Sequence, residues 1–169
     1  MSEKRKVYLE TTITSYLMAR RSRDLIMAAC QELTREWWSC HQHDYLFFAS
    51  QVVIRESSVG DPDAAARRLE FLRPFPLLEI TGEVERLATR LVRDIPLPLK
   101  AQVDALHIAL AAVHQMDYLV TWNCTHIANA TLRTRLEAVC RSAGFPPPVV
   151  CTPQELLGSD EPPSGDDHA

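Results

Sequence analysis

The sequence has few glycines, no long apolar run and no paired cysteine motif, and each absence excludes a class of protein. Only 5 of its 169 residues are glycine and none are grouped, which argues against a glycine-rich loop that cradles phosphates. No window approaches the roughly 18 consecutive apolar residues of a membrane-spanning helix, and the N-terminal residues lack the apolar core of a signal peptide. We therefore expect a cytoplasmic protein with no membrane partner.

The cysteines are odd in number and far apart. There are five, without a CxxC pair, which favours reduced thiols in a reducing compartment over a disulfide framework. Cys40, His41 and His43 invite a zinc interpretation, but no second ligand pair follows at matching spacing. The end of a helix is the better interpretation of that segment.

The formal charge of −4 is unevenly distributed. Residues 154–169 hold five acids and no Lys or Arg, whereas the rest of the chain holds 18 basic and 17 acidic residues. An anionic polymer such as RNA is therefore not excluded as a partner. We expect residues 1–157 to form a single domain and residues 158–169 to be a disordered acidic tail.

Short apolar segments alternate with segments of helical periodicity. This alternation predicts an α/β fold in which helices cover both faces of a short parallel sheet, a three-layer α/β/α sandwich. The predicted strands are 7–9, 45–49, 77–80, 118–122 and 149–151. The predicted helices are a short one capped by Thr11 or Thr12, then 24–40, one capped by Ser50, one starting at Asp61, 81–93, 100–115, 125–142 and 153–157.

Four polar side chains occupy positions where a core would not place them. Glu10 and Asn123 directly follow strands, while Glu56 and Asp104 lie in the first two turns of helices. In an open parallel sheet these positions face the same edge, where ligands bind. Oxygen ligands from four segments would suit Mg²⁺ or Mn²⁺, and such an ion can activate a water molecule against a phosphodiester.

Each of these residues also has a purely structural interpretation. Glu10 could be an acid favoured by a helix dipole, Glu56 could pair with a surface arginine, and Asn123 could make a turn or cap a helix. Asp104 is harder to explain, since a charge in an apolar helix needs a partner or a metal. His107 could contact a phosphate, although a hydrogen-bonded, partly buried histidine is the commoner case.

Three segments of the chain resemble the PIN-domain family, specifically the VapC-like toxins of type II toxin-antitoxin systems. They are VYLETTITSYL, the segment GDPDAAARRLEFL that ends the Glu56 helix, and DALHIALAAVHQMDYLVTWNCTHIANA. The similarity extends over residues 6–152. The order and spacing of the three segments make the resemblance specific.

The resemblance implies a PIN-like sandwich and a Mg²⁺- or Mn²⁺-dependent endoribonuclease, inhibited by a cognate antitoxin and expected to form a homodimer. It places the family's four catalytic and metal-binding positions on Glu10, Glu56, Asp104 and Asn123, with Thr121 as the accompanying hydroxyl residue. The first position is more often Asp and the fourth is often Asp. The longer Glu10 and the neutral Asn123 therefore predict a weaker second metal position.

The leading hypothesis is thus a metal-dependent ribonuclease in which Arg20, Arg21 and Arg23 steer RNA and His107 contacts the substrate. The alternative is a catalytically weak or inactive PIN scaffold that binds RNA or a protein partner. A small-molecule phosphatase ranks last, because the glycine-rich loop is missing. Adjacent Trp37 and Trp38 cannot both face one core, so one of them is predicted at the surface or in an interface.

Overall fold

The computed structural model of the chain describes residues 3–96, 98 and 101–158, and within these ranges it contains five strands and eight helices. The strands are β1 (Lys6–Leu9), β2 (Leu46–Ser50), β3 (Leu77–Leu78), β4 (Tyr118–Val120) and β5 (Val149–Cys151). The helices are α1 (Thr11–Met18), α2 (Leu25–His41), α3 (Gln51–Ser57), α4 (Pro62–Leu72), α5 (Gly82–Asp94), α6 (Gln102–Val113), α7 (Ala130–Ser142) and α8 (Pro153–Leu156). None of the helices in these ranges has the length and apolar character needed to cross a bilayer.

The five strands form one parallel sheet in the order β3-β2-β1-β4-β5. Successive connections move outward from β1 to β3, and the chain then returns to the other side of β1 to form β4. The strand order therefore reverses between β1 and β4. In open parallel sheets the crevice outside the carboxyl ends of the strands at this reversal is the usual ligand site.

Helices cover both faces of the sheet, and side chains that alternate along each strand pack against them. Tyr8 belongs to the larger apolar cluster, which packs under α3, α5, α6 and α7, whereas its neighbours Val7 and Leu9 belong to a second cluster with α1, α2 and α8. This alternation follows from the two-residue repeat of a strand. The predicted α/β/α sandwich is therefore confirmed as a parallel sheet between two layers of helices.

Most local helix signals are confirmed, and two are wrong. Asp24, Ser50, Asp61 and Thr81 cap their helices through side-chain oxygens, and the last helix begins at Pro153 as predicted. The first helix is capped by Glu10 rather than by Thr11 or Thr12. The helix predicted to begin at residue 125 begins at Ala130, because Asn129 supplies the cap and residues 124–127 form a turn instead.

Both adjacent tryptophans pack within this chain. Trp37 is fully buried, and Trp38 is partly buried among the rings of Phe47, Phe71 and Phe75, with centroid distances of 4.8, 5.1 and 6.0 Å. The indole predicted at an interface therefore has partners inside the chain, and the homodimer stays a prediction. Residues 159–169 of the predicted acidic tail (158–169), and Lys100 at the predicted start of α6, lie outside the described residues.

Candidate metal and active site

Glu10 lies at the carboxyl end of β1, on the side of β1 that pairs with β4. Its carboxylate oxygen Oε2 accepts hydrogen bonds from Thr12 N (3.0 Å), Thr12 Oγ1 (2.5 Å) and Thr121 Oγ1 (2.8 Å). The bond from the Thr12 amide makes Glu10 the N-cap of α1, the structural role that the sequence left open. Its other oxygen, Oε1, accepts no hydrogen bond from the residues that the structure describes.

Glu56 extends from α3 toward the same edge and is held in a similar way. Its Oε1 accepts hydrogen bonds from Thr11 Oγ1 and His107 Nε2, each at 2.7 Å, while Oε2 accepts none among the described residues. Burial acts to raise the pKa of Glu56, but the hydrogen bonds from His107 and Thr11 outweigh it and lower the pKa below its ordinary value. Glu56 is therefore an anion at neutral pH, with one oxygen anchored.

His107 is fully buried. It contacts Glu56 directly, and two hydroxyl groups in turn hold its imidazole ring. Ser50 Oγ lies 2.7 Å from the Tyr8 hydroxyl, which in turn lies 2.8 Å from His107 Nδ1. Burial strongly raises the pKa of Tyr8, so the phenol keeps its proton and can donate a hydrogen bond to Ser50 Oγ or to His107 Nδ1. The Glu56 carboxylate only accepts, so the proton of the bond between His107 and Glu56 lies on Nε2.

Glu10, Glu56 and His107 each place one potential ligand atom within 4.8 Å of the others. Both ring nitrogens of His107 already have hydrogen-bond partners, whereas each carboxylate keeps one oxygen without a partner among the described residues. Carboxylate oxygens are the ligands that Mg²⁺ and Mn²⁺ prefer. The arrangement therefore fits a hard cation held by Glu10 and Glu56, with His107 orienting Glu56 from behind.

Asp104 is bound to Asn123 and His126 rather than to the other carboxylates. Its Oδ1 accepts a hydrogen bond from Asn123 Nδ2 at 3.0 Å, and its Oδ2 lies 2.8 Å from His126 Nδ1. The Asn123 side-chain oxygen also accepts from the amide of His126 at 3.1 Å. Asp104 thus has the partners that a carboxylate in an apolar helix requires.

Thr121 connects the two groups of polar residues. Its hydroxyl donates to Glu10 Oε2 at 2.8 Å and accepts from the amide of Asn123 at 2.9 Å. A continuous path of hydrogen bonds therefore runs from Glu10 through Thr121 and Asn123 to Asp104. The four residues predicted from the sequence lie at one edge of the sheet, at the reversal of strand order, but as two pairs rather than as a single cluster of acids.

Comparison with protein-family models, with curated proteins and with solved structures finds no match.

The remaining predicted residues differ in exposure. Thr121 and His107 are buried within the hydrogen-bond network, where neither is available to substrate directly. Arg20, Arg21 and Arg23 lie on the exposed segment between α1 and α2, and their side chains form no ion pair with the described site residues. The role of these arginines stays a prediction.

Sequence reasoning missed the role of the hydroxyl groups behind the carboxylates. The sequence predicts Tyr8 only as part of a buried strand and Ser50 only as a helix cap. A phenol in the middle of an otherwise apolar strand is the signal that could have identified Tyr8, since a buried hydroxyl needs a hydrogen-bond partner. Its actual partner, His107, lies 99 residues away in the sequence.

Proposed function

We propose that this chain is a metal-dependent endoribonuclease of the PIN-domain type, a VapC-like toxin that hydrolyses RNA phosphodiester bonds. One observation carries the proposal. At the reversal of strand order, Glu10 and Glu56 are each fixed through one oxygen and each keep a second oxygen without a described hydrogen bond. Two carboxylates that each place a ligand atom within 4.8 Å of the other suit a cation shared between them.

Each residue of the site would have a separate role in this reaction. Glu10 and Glu56 would hold Mg²⁺ or Mn²⁺, and a bound ion of this kind lowers the pKa of a water molecule and neutralises charge on the phosphate. His107, Tyr8 and Thr11 keep the Glu56 carboxylate in position. Asp104 and Asn123, on the other side of Thr121, would orient the attacking water or complete the ligand set.

A catalytically weak or inactive scaffold that binds RNA or a protein is the second candidate. The observation that favours it is that both carboxylate oxygens of Asp104 already have hydrogen-bond partners, Asn123 and His126. A third acid that needs no cation contributes less to a metal site. Calorimetric titration with Mn²⁺ separates the two, because the nuclease requires binding that depends on Glu10 and Glu56.

Cleavage of RNA by the purified protein is the direct test. We expect cleavage of single-stranded RNA in Mn²⁺, abolished by EDTA and reduced at least a hundredfold in Glu56→Gln and in Asp104→Ala, since loss of a metal-binding or water-orienting group typically costs about 100-fold or more. Glu36→Gln is the matched control, because Glu36 is an exposed acid on α2 with no described side-chain partner. Cleavage that persists in both site variants would refute the assignment.

The antitoxin belongs to the same proposal and is tested separately. A VapC-like toxin is expected to slow growth when it is expressed alone and to be neutralised by a small protein encoded beside it. Expression of the chain with and without the adjacent reading frame provides the comparison. Toxicity that is equal for the wild type and Glu56→Gln would argue against nuclease action as its cause.

A further inference from the structure

Two aromatic rings lie beside the candidate metal site, at its solvent-facing side. Tyr16 on the last turns of α1 and Trp122 just after β4 are stacked, with ring centroids 6.4 Å apart and an angle of 24° between the planes. Both residues are partly exposed. The proposed metal chemistry leaves the two rings without an assigned role.

Trp122 is fixed at both ends by hydrogen bonds. Its backbone amide donates to Thr12 Oγ1 at 2.9 Å, and its indole Nε1 donates to Thr34 Oγ1 at 2.7 Å. The same Thr12 hydroxyl donates to Glu10 Oε2 at 2.5 Å. A single hydroxyl group thus links the Trp122 backbone to the Glu10 carboxylate, which fixes the start of the Trp122 side chain relative to the candidate metal site.

The basic segment that follows α1 is also held in place. Gln31 is almost completely buried, and its side chain accepts from Ser22 N at 2.9 Å and donates to the carbonyl of Arg20 at 3.2 Å. Arg35 Nη2 donates to the carbonyl of Ala19 at 2.8 Å. Residues 19–24 contain three arginines and one aspartate, a net charge of +2. An ordered, exposed and basic segment therefore begins directly beyond Tyr16.

Stacking surfaces next to positive charge are what proteins use to bind single-stranded nucleic acid. Bases stack on aromatic side chains while arginines contact the phosphates, and each stacked base contributes enough affinity to be measured by substitution. A double helix would keep its bases away from the rings. The chemistry of this surface therefore favours an unpaired strand over a duplex and over an acidic peptide, which would need the arginines but not the rings.

We propose that Tyr16 and Trp122 form a stacking subsite for a nucleobase of single-stranded RNA, and that the arginine segment of residues 20–23 contacts the neighbouring phosphates. The inference rests on the proposed nuclease function, to which it adds a base-binding subsite that positions the RNA strand. The base would extend the Tyr16–Trp122 stack and hold the strand beside Glu10.

The test compares an RNA octamer of adenylate with an abasic octamer that has the same number of phosphates, both labelled and measured by fluorescence anisotropy in EDTA. We expect the full-length wild-type protein to bind the adenylate octamer about tenfold more tightly. Tyr16→Leu should reduce this preference to less than about threefold, whereas the matched Tyr16→Phe should retain it. Replacing Arg20 and Arg21 by Gln should weaken the binding of both octamers equally and reduce its salt dependence.

Tryptophan fluorescence gives a second measurement that requires no substitution at the subsite. The adenylate octamer should quench the emission of Trp122, while the abasic octamer should not. Trp37 is fully buried and Trp38 packs among Phe47, Phe71 and Phe75, so neither should respond. Equal affinity for the two octamers, absence of RNA binding, or equal effects of the Leu and Phe variants would overturn the subsite. A pair of rings that only closes the core or binds a protein gives one of these results.

The nuclease assay in Mn²⁺ on the same preparations separates this inference from the proposed function. Cleavage by the wild type without any preference for bases overturns the subsite and leaves the nuclease intact. A preference for bases without cleavage supports the subsite and overturns the nuclease.

Discussion

At the scale of single residues, the buried hydroxyl group of Tyr8 supports Glu56 through the ring of His107. Tyr8→Phe removes the group between Ser50 Oγ and His107 Nδ1 and leaves two buried polar atoms without their partner. We expect a loss of about 1–3 kcal/mol in the free energy of unfolding, measured by urea denaturation at neutral pH. Tyr118→Phe is the control, since its hydroxyl accepts only from exposed Arg5, and its loss should be within about 0.5 kcal/mol.

The same phenol predicts a dependence of stability on alkaline pH. Burial raises the pKa of Tyr8 in the folded protein above its ordinary value of 10.0. Above pH 10 the unfolded chain releases this proton while the folded chain keeps it, so the advantage of wild type over Tyr8→Phe should decline as pH rises. The limit is about 1.4 kcal/mol per pH unit. Urea denaturation of both proteins in EDTA at pH 8, 10 and 11 measures the difference between their free energies of unfolding. A difference that stays constant with pH would contradict the prediction.

Among the elements, the turn between α3 and α4 determines how the Glu56 helix is held. Gly60 has a φ of +98°, and Arg68 donates to the carbonyls of Ser57 and Val59 at 2.9 and 2.6 Å. We expect Gly60→Ala to reduce the free energy of unfolding by about 1–2 kcal/mol, because an alanine is strained at this φ. Thermal or urea denaturation monitored by circular dichroism would measure the change.

Gly82 provides the matched control for that substitution. It begins α5 without a positive φ, and a Cβ there would meet only the flexible end of Arg86, at 3.2 Å. Gly82→Ala should therefore be neutral or stabilising by up to about 1 kcal/mol. Equal losses at the two glycines would show that backbone conformation is not the cause.

Local patterns predicted most elements, while long-range contacts decided the site. The strands and the caps at Ser50 and Asp61 followed from apolar runs and cap chemistry, which depend on neighbouring residues. The bond between His107 and Glu56 depends on how α6 meets α3, across 51 residues of sequence. The turn at residues 124–127 was missed because the side chain of Asn123 serves Asp104 and the His126 amide at once.

At the scale of the whole molecule, the parallel sheet brings together groups from four separate segments. Glu10 and Asn123 come from the ends of neighbouring strands β1 and β4, while Glu56 and Asp104 come from helices that follow β2 and β3 in the chain. Folding therefore brings the ligand atoms of Glu10 and Glu56 within reach of one ion. A cation that binds only the folded arrangement should stabilise the entire domain.

Thermal unfolding with and without Mn²⁺ tests this coupling. A ligand at about 100 times its dissociation constant adds about 2.7 kcal/mol, which in a domain of this size corresponds to a rise of about 5–10 °C in Tm. We expect this rise for the wild type, its reversal by EDTA, and little change for a protein carrying Glu10→Gln and Glu56→Gln. An equal rise of Tm in both proteins would place the ion elsewhere on the surface.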